Sequence, residues 1–117
     1  MCVENTIDDI FVKASDPIVL AFDAIFSVVM TWNPITAGAS SKSVVFTNKK
    51  AWLIIRPMAK ALDVKFYYDE PVDSDAFKKI TEYKGKYAHH LRIAEESEVT
   101  DEVFELLRVG WEFGMRE

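Results

Sequence analysis

Residues 87–94 read Tyr87-Ala88-His89-His90-Leu91-Arg92-Ile93-Ala94 and contain both histidines of the 117-residue chain. This pattern predicts a β-strand, in which neighbouring side chains point to opposite faces of a sheet. His89 shares its face with Leu91 and Ile93 and is therefore expected in the core, where it needs a hydrogen-bond partner. His90 shares the other face with Arg92 and is the histidine that we consider for a binding site.

Three further strands are predicted upstream of this run. They cover residues 43–47, 51–56 and 62–68. The first two are joined by a turn at Asn48, and the short connections favour antiparallel pairing. The third alternates most clearly between apolar and polar residues, as a half-buried strand does. In contrast, we interpret residues 35–41 as a small-residue loop, and the segment with Phe77, Ile80 and Tyr83 as a short helix.

Two signals predict helices near the N-terminus. Residues 6–13 form a short amphipathic segment. Asp16 is then expected to cap a long helix with Pro17 at its first position, because that amide needs no partner within the helix. The helix should reach about Trp32, since the residue before Pro34 avoids the α region.

A long C-terminal helix is predicted to begin at Thr100, which can cap it, and to end at Gly114. Its buried stripe comprises Val103, Leu106, Leu107, Gly110 and Trp111. Gly110 costs about 1 kcal/mol relative to alanine inside a helix, so we expect it to pack closely against a neighbour.

Together these elements predict an α+β fold. We expect a roughly four-stranded, mainly antiparallel sheet, with N-terminal helices and the long C-terminal helix packed mainly on one face. The length suits a single domain over residues 1–117. Residues 52–55 are apolar on both faces, which is typical of a central strand or of an edge used for dimerisation.

The composition is that of an ordinary globular protein, with 50% hydrophobic and 28% charged residues. The apolar run at residues 18–32 is too short to span a bilayer, and no signal peptide is recognised. Because Cys2 is the single cysteine, no internal disulfide is expected. A cytoplasmic protein is the simplest interpretation.

The net charge of −5 is unevenly distributed along the chain. Residues 1–33 carry −4, residues 34–94 carry +5 and residues 95–117 carry −6. The predicted strands are therefore basic and the predicted long helices acidic. Charge balance within the monomer is the simpler interpretation of this layout, and a patch made for anions is the alternative.

No motif for a metal, a cofactor or a catalytic centre is recognised. His89 and His90 face opposite ways on a strand and cannot easily bind one ion, and no Cys-x-x-Cys or His-Glu-x-x-His motif is present. Lys42-Ser43 follows a glycine-containing segment, but a strand stands where a phosphate-binding loop requires a helix. We therefore expect no metal and no cofactor, and we favour a binding protein over an enzyme.

Cations and aromatic rings combine on one predicted strand face. His90 and Arg92 are about 7 Å apart, from two rises of about 3.3 Å. If the strand at residues 62–68 pairs alongside, Lys65 and Tyr67 join them and offer hydrogen-bond donors to an anion. Two further candidates near strand ends are Lys42 and Arg56. The alternative is an ordinary solvated face whose charge is neutralised by nearby aspartates.

The first functional hypothesis is a small non-enzymatic binding or accessory module for an anionic small molecule or a protein partner, with a homodimer as one assembly to be considered. A nucleic-acid-associated domain is the second, although the acidic net charge disfavours it. The third is a small enzyme that acts on an anionic metabolite with His90 as general base.

Several weak motifs recur together over residues 7–113. They are Asp9-Ile10-Phe11 with Asp16-Pro17, Lys42-Ser43, Arg56-Pro57, His89-His90-Leu91-Arg92-Ile93, and Asp101-Glu102-Val103 before a Leu-Leu-Arg helix. In this order they resemble a bacterial family of domains of unknown function, found alone or as a C-terminal module of larger proteins, some labelled predicted transport proteins. Gly110-Trp111-Glu112 departs from the Ala-Tyr-Glu expected there. The resemblance implies an α+β fold and no established catalytic residues.

Overall fold

The structure is a computed structural model that describes residues 10–12, 14–40, 42–71, 77–83 and 85–115. Its described elements are the helices α1 (Asp16–Val29) and α2 (Asp101–Met115), a 3-10 turn (Glu96–Glu98), and the strands β1 (Thr36–Ser40), β2 (Ser43–Thr47), β3 (Ala51–Pro57), β4 (Leu62–Tyr68), β5 (Phe77–Tyr83) and β6 (Lys86–Ile93). The predicted α+β class is confirmed. Most of the amphipathic segment predicted at residues 6–13 lies outside the described residues.

The strands form one antiparallel sheet in the order β1-β2-β3-β4-β6-β5. The predicted hairpin of β2 and β3, the strand β4 and the histidine-bearing strand β6 are all present. Within the described residues the sheet has six strands rather than about four, because two segments that were not predicted as strands extend it at its edges. β3 is an interior strand, which accounts for its apolar sequence.

The first of these segments is β1, which was wrongly predicted as a loop. Its sequence, Thr36-Ala37-Gly38-Ala39-Ser40, contains small residues of low strand propensity. Its pairing with β2, from Thr36 opposite Thr47 to Ser40 opposite Ser43, makes it an edge strand. Tertiary pairing has therefore overridden local propensity.

The second is β5, which was wrongly predicted as a short helix. Phe77, Ile80 and Tyr83 are spaced at three residues, which suits a helix, but the segment is also rich in aromatic and β-branched residues. β5 and β6 form a hairpin whose turn contains Gly85 with φ of +84°. Glycine adopts this conformation without strain, and such a turn directs the chain back along β6.

The pairing register divides the sheet into two faces. On the core face, Phe46 lies opposite Leu53, and Leu53 lies opposite Phe66. Helix α1 contacts this face, with ring centroids of Phe26 and Phe46 6.0 Å apart. Helix α2 contacts the same face, as predicted, because Gly110 lies against Phe66. We call the opposite side the open face; its residues on β3, β4 and β6 are Ile54, Arg56, Asp63, Lys65, Tyr67, Lys86, Ala88, His90 and Arg92.

Helix α1 differs slightly from its predicted bounds. Ser15 rather than Asp16 occupies the N-cap position, and no side-chain hydrogen bond caps the helix. The helix ends at Val29, before Trp32, because the next residues form tighter i→i−3 hydrogen bonds: Thr31 N–H donates to Val28 O and Trp32 N–H to Val29 O.

Helix α2 approaches the sheet closely through its glycines. Gly110 contacts Phe66 as predicted, whereas Gly114 lies within the helix against Asn48 and Trp52 and does not end it. The Trp111 indole N–H donates to the carbonyl of Trp32 at 2.8 Å, which ties α2 to the end of α1. The small residues of α2 thus set its distance from the sheet.

The substitution Gly110→Ala should lower the free energy of unfolding by about 1 to 2 kcal/mol. A new Cβ would lie 2.9 Å from Cδ2 and 3.0 Å from Cβ of the fully buried Phe66. Overpacking of this kind costs about 1–3 kcal/mol, and the gain of about 1 kcal/mol in helix propensity offsets it only in part. Urea denaturation measures the change.

Gly38→Ala is the matched control, because a Cβ at Gly38 meets nothing within 4 Å. Its stability should equal or slightly exceed that of the wild type. Equal stability of the two alanine variants would contradict the close contact at Gly110.

Candidate functional site

The register of β4 and β6 places the predicted site residues side by side on the open face. Lys65 lies directly opposite His90, and Asp63 lies opposite Arg92. Tyr67 lies opposite Ala88. Such directly opposed residues have Cβ atoms about 4.5–5.5 Å apart, so four of the six predicted site residues meet on two adjacent strands.

These strands and β5 form a shallow depression of about 360 Å³ that is open to solvent. It is lined by Lys65, Tyr67, Thr81, Ala88 and His90. Ala88 pairs with Tyr67 on one side and Thr81 on the other, and it is the smallest side chain of the row. The depression therefore has an alanine methyl group at its base and polar side chains around it.

Two lysines flank the ring of Tyr67. The Lys86 Nζ atom lies 4.4 Å from the ring centroid and the Lys65 Nζ atom lies 5.5 Å from it. Each contact is a cation–π interaction, worth about 0.5–1 kcal/mol at an exposed site. The ring of Tyr67, a residue that lines the depression, thus has two positive charges beside it.

Asp63 organises the other end of the site. Its Oδ1 atom accepts a hydrogen bond from Nδ1 of His90 at 3.2 Å and lies 3.5 Å from Nε of Arg92. The carboxylate acceptor selects the tautomer in which the proton is on Nδ1, which leaves Nε2 for a ligand. Arg92, 44% exposed, is thereby drawn toward Asp63.

The other two predicted residues lie elsewhere. Lys42 is exposed in the turn between β1 and β2 and does not line the depression. Arg56 lies on the open face opposite Asp63, but it lines a separate depression of about 380 Å³ near Ile10 and Met58. The structure does not bring these two residues together with the central group.

Three residues of the site were not predicted. Ala88 and Lys86 share the strand face of His90, but Lys86 lies just before the strand predicted at residues 87–94. Thr81 was missed because β5 was interpreted as a helix. Ala88 already lies in the predicted strand, whereas Lys86 and Thr81 depend on the hairpin turn before Lys86, which extends β6 by one residue and brings β5 alongside.

His89 lies on the core face and is fully buried, as predicted. Its ring stacks on Phe66 with centroids 5.0 Å apart, and its Nδ1–H donates to the carbonyl of Tyr87 at 3.0 Å. Desolvation by burial lowers the pKa of His89 below its ordinary value of 6.5, and hydrogen bonds with the backbone of Tyr87 and Phe66 oppose this only in part. His89 is therefore a neutral core residue.

Among the residues that the structure describes, no three histidine, cysteine or acidic side chains are grouped so that they could hold a metal ion. Neither α1 nor α2 has both the length and the apolar character that a membrane-spanning helix requires. The open face carries ammonium, guanidinium, imidazole, hydroxyl and carboxylate groups.

The fold and the site define an α+β domain whose antiparallel sheet has one face buried by helices and one face with a cationic, aromatic depression. The family model of a domain of unknown function, DUF5655, matches residues 7–114. The chain belongs to this family, which confirms the resemblance to a family of unknown function. Searches of curated proteins and of solved structures found no match.

The burial of neutral His89 predicts a loss of stability in mild acid. Below pH 6.5 the unfolded chain binds a proton on His89 before the folded protein does. As the pH is lowered, the free energy of unfolding therefore decreases until the lowered pKa of the folded state is reached. The slope from one proton is at most about 1.4 kcal/mol per pH unit. Urea denaturation between pH 5 and 8 measures it.

The variant His89→Phe should show a flatter pH dependence than the wild type, because its side chain cannot bind a proton. The control His90→Gln keeps His89 in place and should retain the wild-type loss in this pH range. If His89→Phe and the wild type lose stability in parallel, protonation of His89 is not the cause.

Proposed function

We propose that this domain is a non-enzymatic binding module that holds a small anionic ligand on its open face. The observation that carries the proposal is the pair of Lys65 and Lys86, whose ammonium groups both lie against the ring of Tyr67. Among the described residues, neither lysine forms an ion pair with a carboxylate. These centroid distances place the two ammonium groups no more than about 10 Å apart, and a bound anion relieves the repulsion between the two like charges.

The shape of the depression favours a small molecule. Its volume of about 360 Å³ is near the lower end of the range of about 300–1,000 Å³ that is usual for small-molecule sites. Tyr67 and Thr81 add hydroxyl groups, and His90 adds an imidazole held in place by Asp63. Such a set of fixed polar groups gives orientation and specificity to a small ligand.

The observed geometry favours binding over catalysis by His90, the enzymatic alternative. The Asp63–His90 hydrogen bond would suit a general base, since a carboxylate on Nδ1 orients the imidazole. A general base also needs a nucleophile or a polarised substrate beside it. The described lining contains neither serine nor cysteine, and Thr81 lies opposite Ala88 rather than opposite His90. Exclusion of water strengthens catalytic electrostatics, whereas this depression is open.

A cytoplasmic location and a homodimer stay predictions from the sequence. The binding proposal requires neither, because all of its groups come from β4, β5 and β6 of one chain. It does require the open face to be accessible to a solute.

The double variant Lys65→Ala/Lys86→Ala should weaken anion binding at least tenfold. Each lost charge-assisted hydrogen bond is worth about 1.5–3 kcal/mol, and a factor of ten corresponds to about 1.4 kcal/mol. The measurement is an NMR titration of the full chain with phosphate, sulfate and citrate at constant ionic strength. We expect at least one anion to shift the amide signals of Tyr67, Ala88 and His90.

The matched control is Lys42→Ala/Lys49→Ala, which removes the same charge from two exposed lysines outside the depression. It should bind the anion as the wild type does, and both double variants should keep a folded NMR spectrum. Equal weakening in both would indicate a general effect of net charge. No response to any anion at Tyr67, Ala88 and His90 would reject the proposed function.

A further inference from the structure

We infer that the ligand of this site is a small phosphate monoester, whose phosphoryl group lies above Ala88 between Lys65 and Lys86. The inference rests on the proposed function and specifies its ligand class. Three observations support it: the two ammonium groups of Lys65 and Lys86, their contacts with the Tyr67 ring, and the size of the depression.

Among the described residues, the two ammonium groups beside Tyr67 match the charge of a dianion. Lys65 and Lys86 both approach one ring, at 5.5 and 4.4 Å from its centroid, and lysine has a flexible stem, so one anionic group can reach both. A phosphate monoester carries close to two negative charges at neutral pH, because its second pKa is about 6. A monocarboxylate would neutralise only half of this charge.

The type of cation favours phosphate over carboxylate. Carboxylates are best recognised by the two-pronged guanidinium group, but Arg92 is engaged with Asp63, with Nε 3.5 Å from Oδ1. Lysine acts as a compact point charge that suits any oxygen of a phosphoryl group. The Thr81 hydroxyl and the His90 ring line the same depression and can bind further phosphoryl oxygens.

The contacts of the Tyr67 ring disfavour single-stranded nucleic acid as the ligand. Such strands are held largely by stacking of successive bases on free aromatic faces. The Tyr67 ring is already in contact with Lys65 and Lys86, so it supports cations rather than offering a surface to a base. The phosphoryl group is thus expected on a small molecule rather than on a polymer.

The size of the depression suits a short organic part on the ligand. A volume of about 360 Å³ accommodates a phosphoryl group and a short organic chain. Ala88 forms the base of the depression, and a larger side chain at this position would occupy the space of the ligand without changing any charge. Ala88→Val is suitable because β-branched residues are favoured in strands.

The test is a calorimetric titration of the full chain at pH 7.5 and constant ionic strength with four probes. The probes are glycerol 3-phosphate, inorganic phosphate, succinate and a ten-residue thymidine oligonucleotide. We expect glycerol 3-phosphate to bind at least tenfold more tightly than succinate and no more weakly than inorganic phosphate. Ala88→Val should weaken its binding at least tenfold.

Thr81→Val removes only the hydroxyl group at nearly constant shape. It should weaken the binding of glycerol 3-phosphate about threefold or more and leave the affinity for succinate unchanged. This variant tests the inference if Ala88→Val does not fold. Wild-type binding of glycerol 3-phosphate in both folded variants would place the phosphoryl group elsewhere and overturn the inference.

The remaining outcomes separate the inference from the proposed function. Succinate binding as tightly as glycerol 3-phosphate would reject the phosphoryl preference but keep an anion site. Inorganic phosphate binding tenfold more tightly than glycerol 3-phosphate would reject the monoester. Tightest binding of the oligonucleotide, with affinity that falls steeply with salt, would reject a small ligand. Binding of none of the four would reject the proposed function itself.

Discussion

The antiparallel pairing of β4 with β6 is the constraint on which the rest of the structure depends. Seven residue pairs set its register, from Leu62 opposite Ile93 to Tyr68 opposite Tyr87. A slip by one residue would expose His89 and bury His90. The stacking of His89 on Phe66 and the hydrogen bond of His90 to Asp63 both require the observed register. The same pairing thus builds the core and brings the charged side chains of the open face together.

The interior strands were predictable from the sequence because their apolar period reflects burial. β4 and β6 alternate strictly enough that the faces of His89 and His90 could be assigned in advance. The edge strands were not predictable in this way. β1 has only small side chains, and the apolar spacing in β5 fits a helix as well as a strand, so their identity depends on pairing with β2 and β6. Such pairing is a long-range property that no local pattern contains.

The candidate site was predictable to the same extent. The strand period and the assumed pairing of β4 with β6 predict a group formed by Lys65, Tyr67, His90 and Arg92, and the structure contains this pairing. The contributions of Thr81 and Lys86 depend on β5 and its hairpin turn, so they were missed. The choice of Asp63 as partner of both His90 and Arg92 depends on side-chain conformations. This pairing matters because it engages the guanidinium group of Arg92, so that Lys65 and Lys86 are the cations considered for a ligand.

The uneven charge along the chain becomes a separation of charge across the sheet. The exposed carboxylates of α2, at Asp101, Glu102, Glu105 and Glu112, lie on the helix side, whereas Lys65 and Lys86 lie on the open face. The domain is 26 Å across its shortest axis, and charges are screened over about 8 Å at physiological ionic strength. A small anion, if bound in the depression as proposed, would therefore interact mainly with the lysines. A polyanion long enough to extend around the domain would also meet the acidic helix, so the layout favours a small ligand.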